Sequence, residues 1–304
     1  MPKQMVHVIL NPASGGGRAG RLRAEIDAAL RARGVDVLLH ETRASGHARE
    51  LAQLAVNAGA EIVAAAGGDG TLHEVANGLL CAGTKVPMAV IPIGTGNDFA
   101  KVVPGAHTRE SAYDIIAHGQ THLFDAGLAT WHGGREYFIN AMGTGIDVEV
   151  VRQILRLPAL PGPIKYLLGL LRALAVYKPV TLRATLPHEV IERTVMMFAV
   201  GNGVCQGGGF FLTPHARADD RVLELCVVQQ IPMWQVPFVL PLVLRGTHAG
   251  HAAVTMRSFE QIRFESVDGR PLFFQLDGEL REPPDAGWLD VEIRPAVLPV
   301  VVRG

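Results

Sequence analysis

Three short apolar runs, MVHVIL (5–10), EIVAAA (61–66) and PMAVIPI (87–93), each end at turn-forming or glycine-rich residues, and this pattern constrains the chain most. Apolar runs of this length, bounded by turns, suit strands buried on both faces of a parallel sheet. Between them, residues 20–33 place Leu22, Ile26, Ala29 and Leu30 on one helical face with Gly34 as a stop, and 47–58 repeats the pattern before Gly59. Strand and helix alternate, so the first part of the chain is predicted to be an open α/β layer with its ligands at the carboxyl ends of the strands.

After Asp125 the texture changes to runs such as EYFINA, VTLRATL, VMMFAVG, VLELCVV, QIRFES and LFFQLDG. Many alternate apolar and polar residues between turns, the pattern of antiparallel sheet. The expected organisation is an α/β domain over 1–127 and a β-rich domain over 128–292, with 293–304 packing back onto the first. At 304 residues and 48% hydrophobic, the chain has material for both cores.

A net charge of -1 offers no global field for nucleic acid, so a polyphosphate has to be held locally. Cys81, Cys205 and Cys226 form no CxxC pair, which argues against a disulfide framework or zinc site and for a reducing compartment. The opening MPKQMVHVIL lacks the apolar core and cleavage site of a signal peptide. Residues 154–176 are interrupted by Arg156, Lys165 and Arg172, and 231–244 is short with three prolines, so neither is expected to span a bilayer. A cytoplasmic location follows as the expectation.

The glycine-rich loops NPASGGG (11–17), GGDGT (67–71) and GTGND (94–98) follow the three apolar runs. Glycine lets backbone N–H groups approach phosphate oxygens, and a helix starting near Thr71 would aim its positive end at them. No GxxxxGK[ST] and no GxGxxG opening a helix is present, which demotes standard P-loop and dinucleotide readings. Asp69, Asp98 and Asp125 would repel a bound triphosphate unless they hold Mg²⁺ directly or through its waters. The competing reading is that these acids cap helices or turns.

GGDGTLHEVANGL with PIGTGNDFAK resembles the catalytic domain of the diacylglycerol kinase family, in particular its bacterial soluble lipid kinases. FDAG (124–127), FINAMGTGID (138–147), VGNG (200–203), TPHARADDRVLEL (213–225) and QLDGE (275–279) extend the resemblance over nearly the whole chain. It implies a Rossmann-like α/β domain of the NAD kinase/phosphofructokinase type followed by a β-sandwich domain. By motif match it implies nucleotide contacts at Asn11, Ser14, Thr42, Gly67, Gly68, Asp69, Gly70, Thr71, Leu72, His73, Thr95, Asn97 and Asp98. His73 stands where the family usually has asparagine, and a surface helix histidine is the reading preferred for it.

The resemblance further implies ATP and Mg²⁺, with Glu279 as catalytic base and Asp69, Asp98, Asp125 and Asp277 in the water-and-metal network. A positioned carboxylate accepting the proton of a lipid hydroxyl is sound chemistry, although a lone DGE is also a common hairpin turn. A structural Mg²⁺ site is implied at the backbone oxygens of Arg217 and Val222 and the carboxylate of Asp220. There Arg221 replaces a glycine, which puts a residue poorly suited to positive φ into that loop.

Residues 150–188 carry Arg152, Arg156, Lys165, Arg172, Lys178 and Arg183 and no acid, interleaved with LPALPGPIKYLLGLLRALAVY. Such a stretch suits the surface of an anionic bilayer, at the inner membrane face, or an ordinary helix with solvated basic residues. PFVLPLVL (237–244) reads either as acyl-pocket lining or as core. The partner expected is a lipid substrate, without nucleic acid; a homodimer is left open. The alternatives are a soluble small-molecule kinase of the NAD kinase type, which shares GGDGT, and a nucleotide-binding regulator without activity.

Overall fold

The computed structural model describes residues 4–304 apart from 159, 161 and 286, so Ala159 and Pro161 of the basic stretch lie outside the described residues. The chain forms two compact units: the first runs to Asp125 and takes in Ala296–Gly304, and the second is Ala126–Pro295.

In the first unit, β1 (Met5–Leu10), β2 (Asp36–Glu41), β3 (Ile62–Gly67) and β4 (Met88–Pro92) are parallel, in the order β2-β1-β3-β4. The end of the last strand of the chain adds beside β4, pairing Val300 with Met88. Every residue of β3 and β4 is buried, which is why neither shows alternation. β2 lies at the edge and mixes exposed with buried positions, so no apolar run announces it. Helix Arg23–Ala32 buries Ile26 and Leu30, and helix His47–Asn57 buries Ala48, Ala52 and Ala55. Gly78 brings that second helix against helix Asp69–Ala82, since a Cβ there would lie 2.6 Å from the Arg49 carbonyl oxygen.

Strand β5 (Gln120–Trp131) leads into the second unit, which continues with β6 (Gly134–Phe138), β7 (Ala141–Thr144), β8 (Val180–Thr185) and β9 (Val190–Gly201). It is completed by β10 (Leu223–Gln229), β11 (Val254–Phe259), β12 (Gln261–Ser266), β13 (Phe274–Leu276), β14 (Glu279–Arg281) and β15 (Trp288–Val302). β9 pairs with β7, β8 and β10, β11 with β10, β12 with β8 and β15, β13 with β7 and β14, and β5 with β6, all antiparallel. β9 organises it: residues 190–195 pair with β8, and 195–201 pair with β10. Residues 195–201 are all buried because the strand has a core on each face. Phe198 and Val200 enter one cluster with Phe264 and Phe274, while Met197 and Ala199 enter another with Ile146, Ala173 and Val239. The period of two along a strand thus feeds both cores.

The second cluster lies under helices Ile146–Leu155, Gly162–Val176 and Val236–Leu244. No helix of the described residues is long and apolar enough to cross a membrane. EYFINA does not form one strand: it breaks at Ile139–Asn140, between β6 and β7, for a reason that the site makes plain.

Candidate active site

The parallel strands of the first unit bring its glycine loops into a row. Leu10 stands opposite Glu41 and Ala66, and Gly67 opposite Pro92, so Thr42, Asn11, Gly68 and Gly94 all lie just beyond the strand ends. Main-chain bonds continue the ladder there: Thr42 N–H to Leu10 O (2.9 Å), Asn11 N–H to Ala66 O (3.0 Å) and Ile93 N–H to Gly67 O (2.9 Å). Gly68 and Gly94 touch through their backbones. A Cβ on Gly94 would lie 2.5 Å from the Gly68 Cα, and one on Gly67 would lie 2.4 Å from Thr71 Oγ1. These positions are glycine because no side chain fits between the two loops.

Helix Asp69–Ala82 begins two residues before Thr71, and Gly68 precedes it in extended conformation without a side-chain cap. Uncapped first-turn amides and the helix dipole favour an anion. In the first loop Gly15, Gly16 and Gly17 all have left-handed φ (61°, 70° and 85°), and a Cβ on Gly16 or Gly17 would meet nothing within 4 Å. Arg18, which sequence reasoning passed over, folds its Nε onto Gly15 O (2.9 Å); it is the one cation following NPASGGG directly.

The expected nucleotide residues divide by how they are used. Asn11 Nδ2 donates to Thr71 Oγ1 (3.1 Å), and Ser14 N–H donates to Asn11 O (3.1 Å). Asp69 Oδ1 accepts from Phe99 N–H (3.2 Å), tying the second loop to the third. Asn97 has φ 50° and donates to Gly94 O (2.9 Å); its Oδ1 is buried without a partner among the described residues. Thr95 is exposed and Gly70 is half-buried. Leu72 is buried and its N–H serves Gly68 O (3.1 Å). His73 is 1% exposed, so the expectation of a surface histidine fails; its carbonyl accepts from Asn77 Nδ2 (3.0 Å). Glu74 does a task that the sequence did not suggest, accepting from Gly46 N–H (2.7 Å) and Ala48 N–H (3.0 Å) at the start of helix His47–Asn57.

The acids are not gathered into one cluster. Asp98 is 5% exposed and pairs with Lys101 Nζ (2.7 Å). Asp125 Oδ1 accepts from Ala296 N–H (2.7 Å), stabilising a non-glycine residue at φ 53°. Among the described residues no three of His, Cys, Asp and Glu come together as a metal group. Mg²⁺ on a polyphosphate needs only one or two carboxylates, so the separated acids and the open glycine loop are compatible with it. In the second unit Asp220 Oδ1 accepts from Val222 N–H (3.3 Å) and Arg217 pairs with Asp219 (3.3 Å). Arg221 adopts φ 69°, so the loop keeps a left-handed turn although a residue poorly suited to it replaces glycine.

The DGE segment is a hairpin between β13 and β14, with Asp277 (φ 51°) and Gly278 (φ 89°) at its turn. Asp277 is buried, and its Oδ1 accepts from the N–H groups of Asn140 and Ala141 while Oδ2 accepts from Ile139 N–H, all at 2.9 Å. This carboxylate explains the break in EYFINA: three main-chain donors leave the ladder to hold it. Asp277 therefore anchors the turn on these three amides. Glu279, half-buried, is the first residue of β14, and Arg281 Nε two positions on pairs with Glu136 (2.6 Å). Behind the turn lies Asp147, which sequence reasoning left without a role. Burial pushes its carboxyl up to about 6, partly offset by a hydrogen bond from Gln275.

An open parallel α/β unit with converging glycine turns, followed by an antiparallel β-rich unit with a DGE hairpin, is the two-domain architecture of the kinases that pair an α/β domain with a β-sandwich. The chain belongs to the diacylglycerol kinase family. The diacylglycerol kinase catalytic domain matches residues 5–129, and the YegS C-terminal NAD kinase beta sandwich-like domain matches 140–302. A diacylglycerol kinase of Staphylococcus carnosus is 27% identical over 95% of this chain and 93% of its own length. One of Staphylococcus haemolyticus is 28% identical over 95% and 86%. A crystal structure of a diacylglycerol kinase from Bacillus anthracis strain Sterne shares the fold, with TM-score 0.71 at 18% identity over 99% of this chain and 97% of that one. The family supports lipid kinase activity in general.

Proposed function

We propose that this chain transfers the γ-phosphoryl group of ATP to the hydroxyl of diacylglycerol or a related lipid. The observation that carries this is the meeting of Gly68 and Gly94 at an uncapped helix start, with Asn97 Oδ1 buried and unpartnered beside them. Backbone amides of Gly68–Gly70 and of Gly15 and Gly16 would hold the phosphates, and Thr42 and Thr95 would line the same strand ends. Mg²⁺, when bound, would spread charge off the γ-phosphate, held by Asp69 and Asp98 through its waters. Glu279 would accept the proton of the lipid hydroxyl, a step worth roughly 10²–10⁴ in rate. Arg217, Asp220 and Val222 would supply hard oxygen ligands to a second, structural Mg²⁺.

The lipid side is supported by two helices of the second unit. Helix Gly162–Val176 exposes Ile164, Leu167, Leu168 and Leu171, and Met233, Trp234 and Phe238 stand exposed at the start of helix Val236–Leu244. Val239 and Val243 of PFVLPLVL are core, while Phe238 is 70% exposed and would be available to a lipid. Arg152 and Arg183 are neutralised by Glu282 and Glu192, whereas Arg156, Lys165, Arg172 and Lys178 have no ion pair among the described residues. An apolar face bordered by these cations suits an anionic lipid surface.

The test incubates purified protein with γ-labelled ATP, Mg²⁺ and mixed micelles of diacylglycerol, a sphingoid base or ceramide, with NAD and buffer as controls. Label should enter a lipid, vanish with Asp69→Ala and fall at least 100-fold with Glu279→Gln. Label in NAD, or none in any lipid, would overturn the reading.

A further inference from the structure

Gln275 spans the space between Asp147 and the DGE turn. Its Nε2 donates to Asp147 Oδ2 (2.8 Å), and its Oε1 accepts from Gly278 N–H (2.6 Å). A backbone N–H only donates, so the amide oxygen must face Gly278, and its nitrogen must then face an acceptor. Asp147 supplies that acceptor and thereby decides which way the amide points.

The arrangement is built into three separate elements. Asp147 lies in the first turn of helix Ile146–Leu155 and is 6% exposed, Gln275 is the middle residue of β13, and Gly143 of β7 stands opposite Gln275. Gly143 has to lack a side chain, because a Cβ would lie 1.9 Å from Asp147 Oδ2. Gln206 approaches the same oxygen at 3.5 Å. A carboxylate so placed is costly unless something uses its hydrogen bonds.

We propose that Asp147 is a positioning residue, which acts through Gln275 on Gly278 and so sets the place of Glu279. This rests on the reading of Glu279 as proton acceptor. Asp277 anchors one side of the turn on the 139–141 amides, and Gln275 anchors the other. A residue two peptide units from a proton in transfer cannot drift by 1 Å without losing rate.

The test compares Asp147→Ala with Asp147→Asn in the full chain. Asp147→Ala should lower kcat about tenfold with KM for ATP within about twofold, a split that a general loss of fold would not give. Asp147→Asn keeps an oxygen for Gln275 and should recover to within about threefold of the parent. Independently of activity, hydrogen exchange at the Gly278 amide should be at least about tenfold faster in Asp147→Ala and near parental in Asp147→Asn. If Asp147→Ala does not fold, Gln275→Asn, shorter by about 1.5 Å, should expose the same amide. Unchanged Gly278 exchange in Asp147→Ala or Gln275→Asn would overturn the proposal, as would equal loss in Asp147→Ala and Asp147→Asn. A parent protein that phosphorylates nothing would overturn the functional reading alone, and the exchange result would still decide the link from Asp147 to Gly278.

Discussion

Replacing Asp277 by alanine removes the acceptor of three main-chain donors at once. The carboxylate is 8% exposed and takes the N–H groups of Ile139, Asn140 and Ala141, so all three are left without it in a largely buried place. A stranded donor costs about 1–3 kcal/mol, and partial access of water favours the lower end. Alanine at φ 51° adds about 1 kcal/mol or more. A loss of at least about 4 kcal/mol is expected, much of the stability of an ordinary domain. Asp277→Asn keeps Oδ1 for Asn140 and Ala141 and tolerates the left-handed turn, but it presents an NH₂ to Ile139 N–H; it should lose about 1–3 kcal/mol. Urea unfolding followed by tryptophan fluorescence reads this cleanly, because Trp131, Trp234 and Trp288 all belong to the second unit. Asp277→Ala within about 1 kcal/mol of the parent would refute the anchoring argument and return Asp277 to a purely chemical role.

Gly94→Ala should lower the melting temperature and weaken ATP binding at least tenfold by calorimetry, since its Cβ lies 2.5 Å from the Gly68 Cα; overpacking of this kind costs about 1–3 kcal/mol. Gly16→Ala, facing open space at φ 70°, should cost only about 1–2 kcal/mol. Glu74→Ala strips two amides at the start of helix His47–Asn57 and should destabilise by about 1–2 kcal/mol in urea titration. For Asp147 the folded carboxyl titrates near 6 against an ordinary 3.8, so the protonated form is favoured in the folded state and the group's contribution to stability is lost as pH rises from about 4 to 6. Asp147→Asn lacks that loss, so its stability relative to the parent should rise by roughly 2 kcal/mol between pH 4 and pH 7, measured by denaturation at both.

The sequence by itself determined the elements whose signals are local. β1, β3 and β4 were legible because burial on both faces demands uninterrupted apolar runs, and the loops because only glycine permits their turns and close approaches. QIRFES and VTLRATL were legible for the opposite reason, since only alternate residues face a core and the sequence alternates with them, and the motif series put forward Asn11, Asp69, Asn97 and Glu279 as candidates. Tertiary structure alone decided what each acid does. Asp98 meets Lys101, Asp69 meets Phe99, Asp277 meets the 139–141 amides, and Asp125 reaches Ala296, 171 residues away. It also buried His73, let Arg221 keep a left-handed turn, and set Asp147 behind Gln275. Periodicity records which face of an element is apolar, but a carboxylate's task depends on which donors arrive from distant segments, and such pairings leave no repeat along the chain.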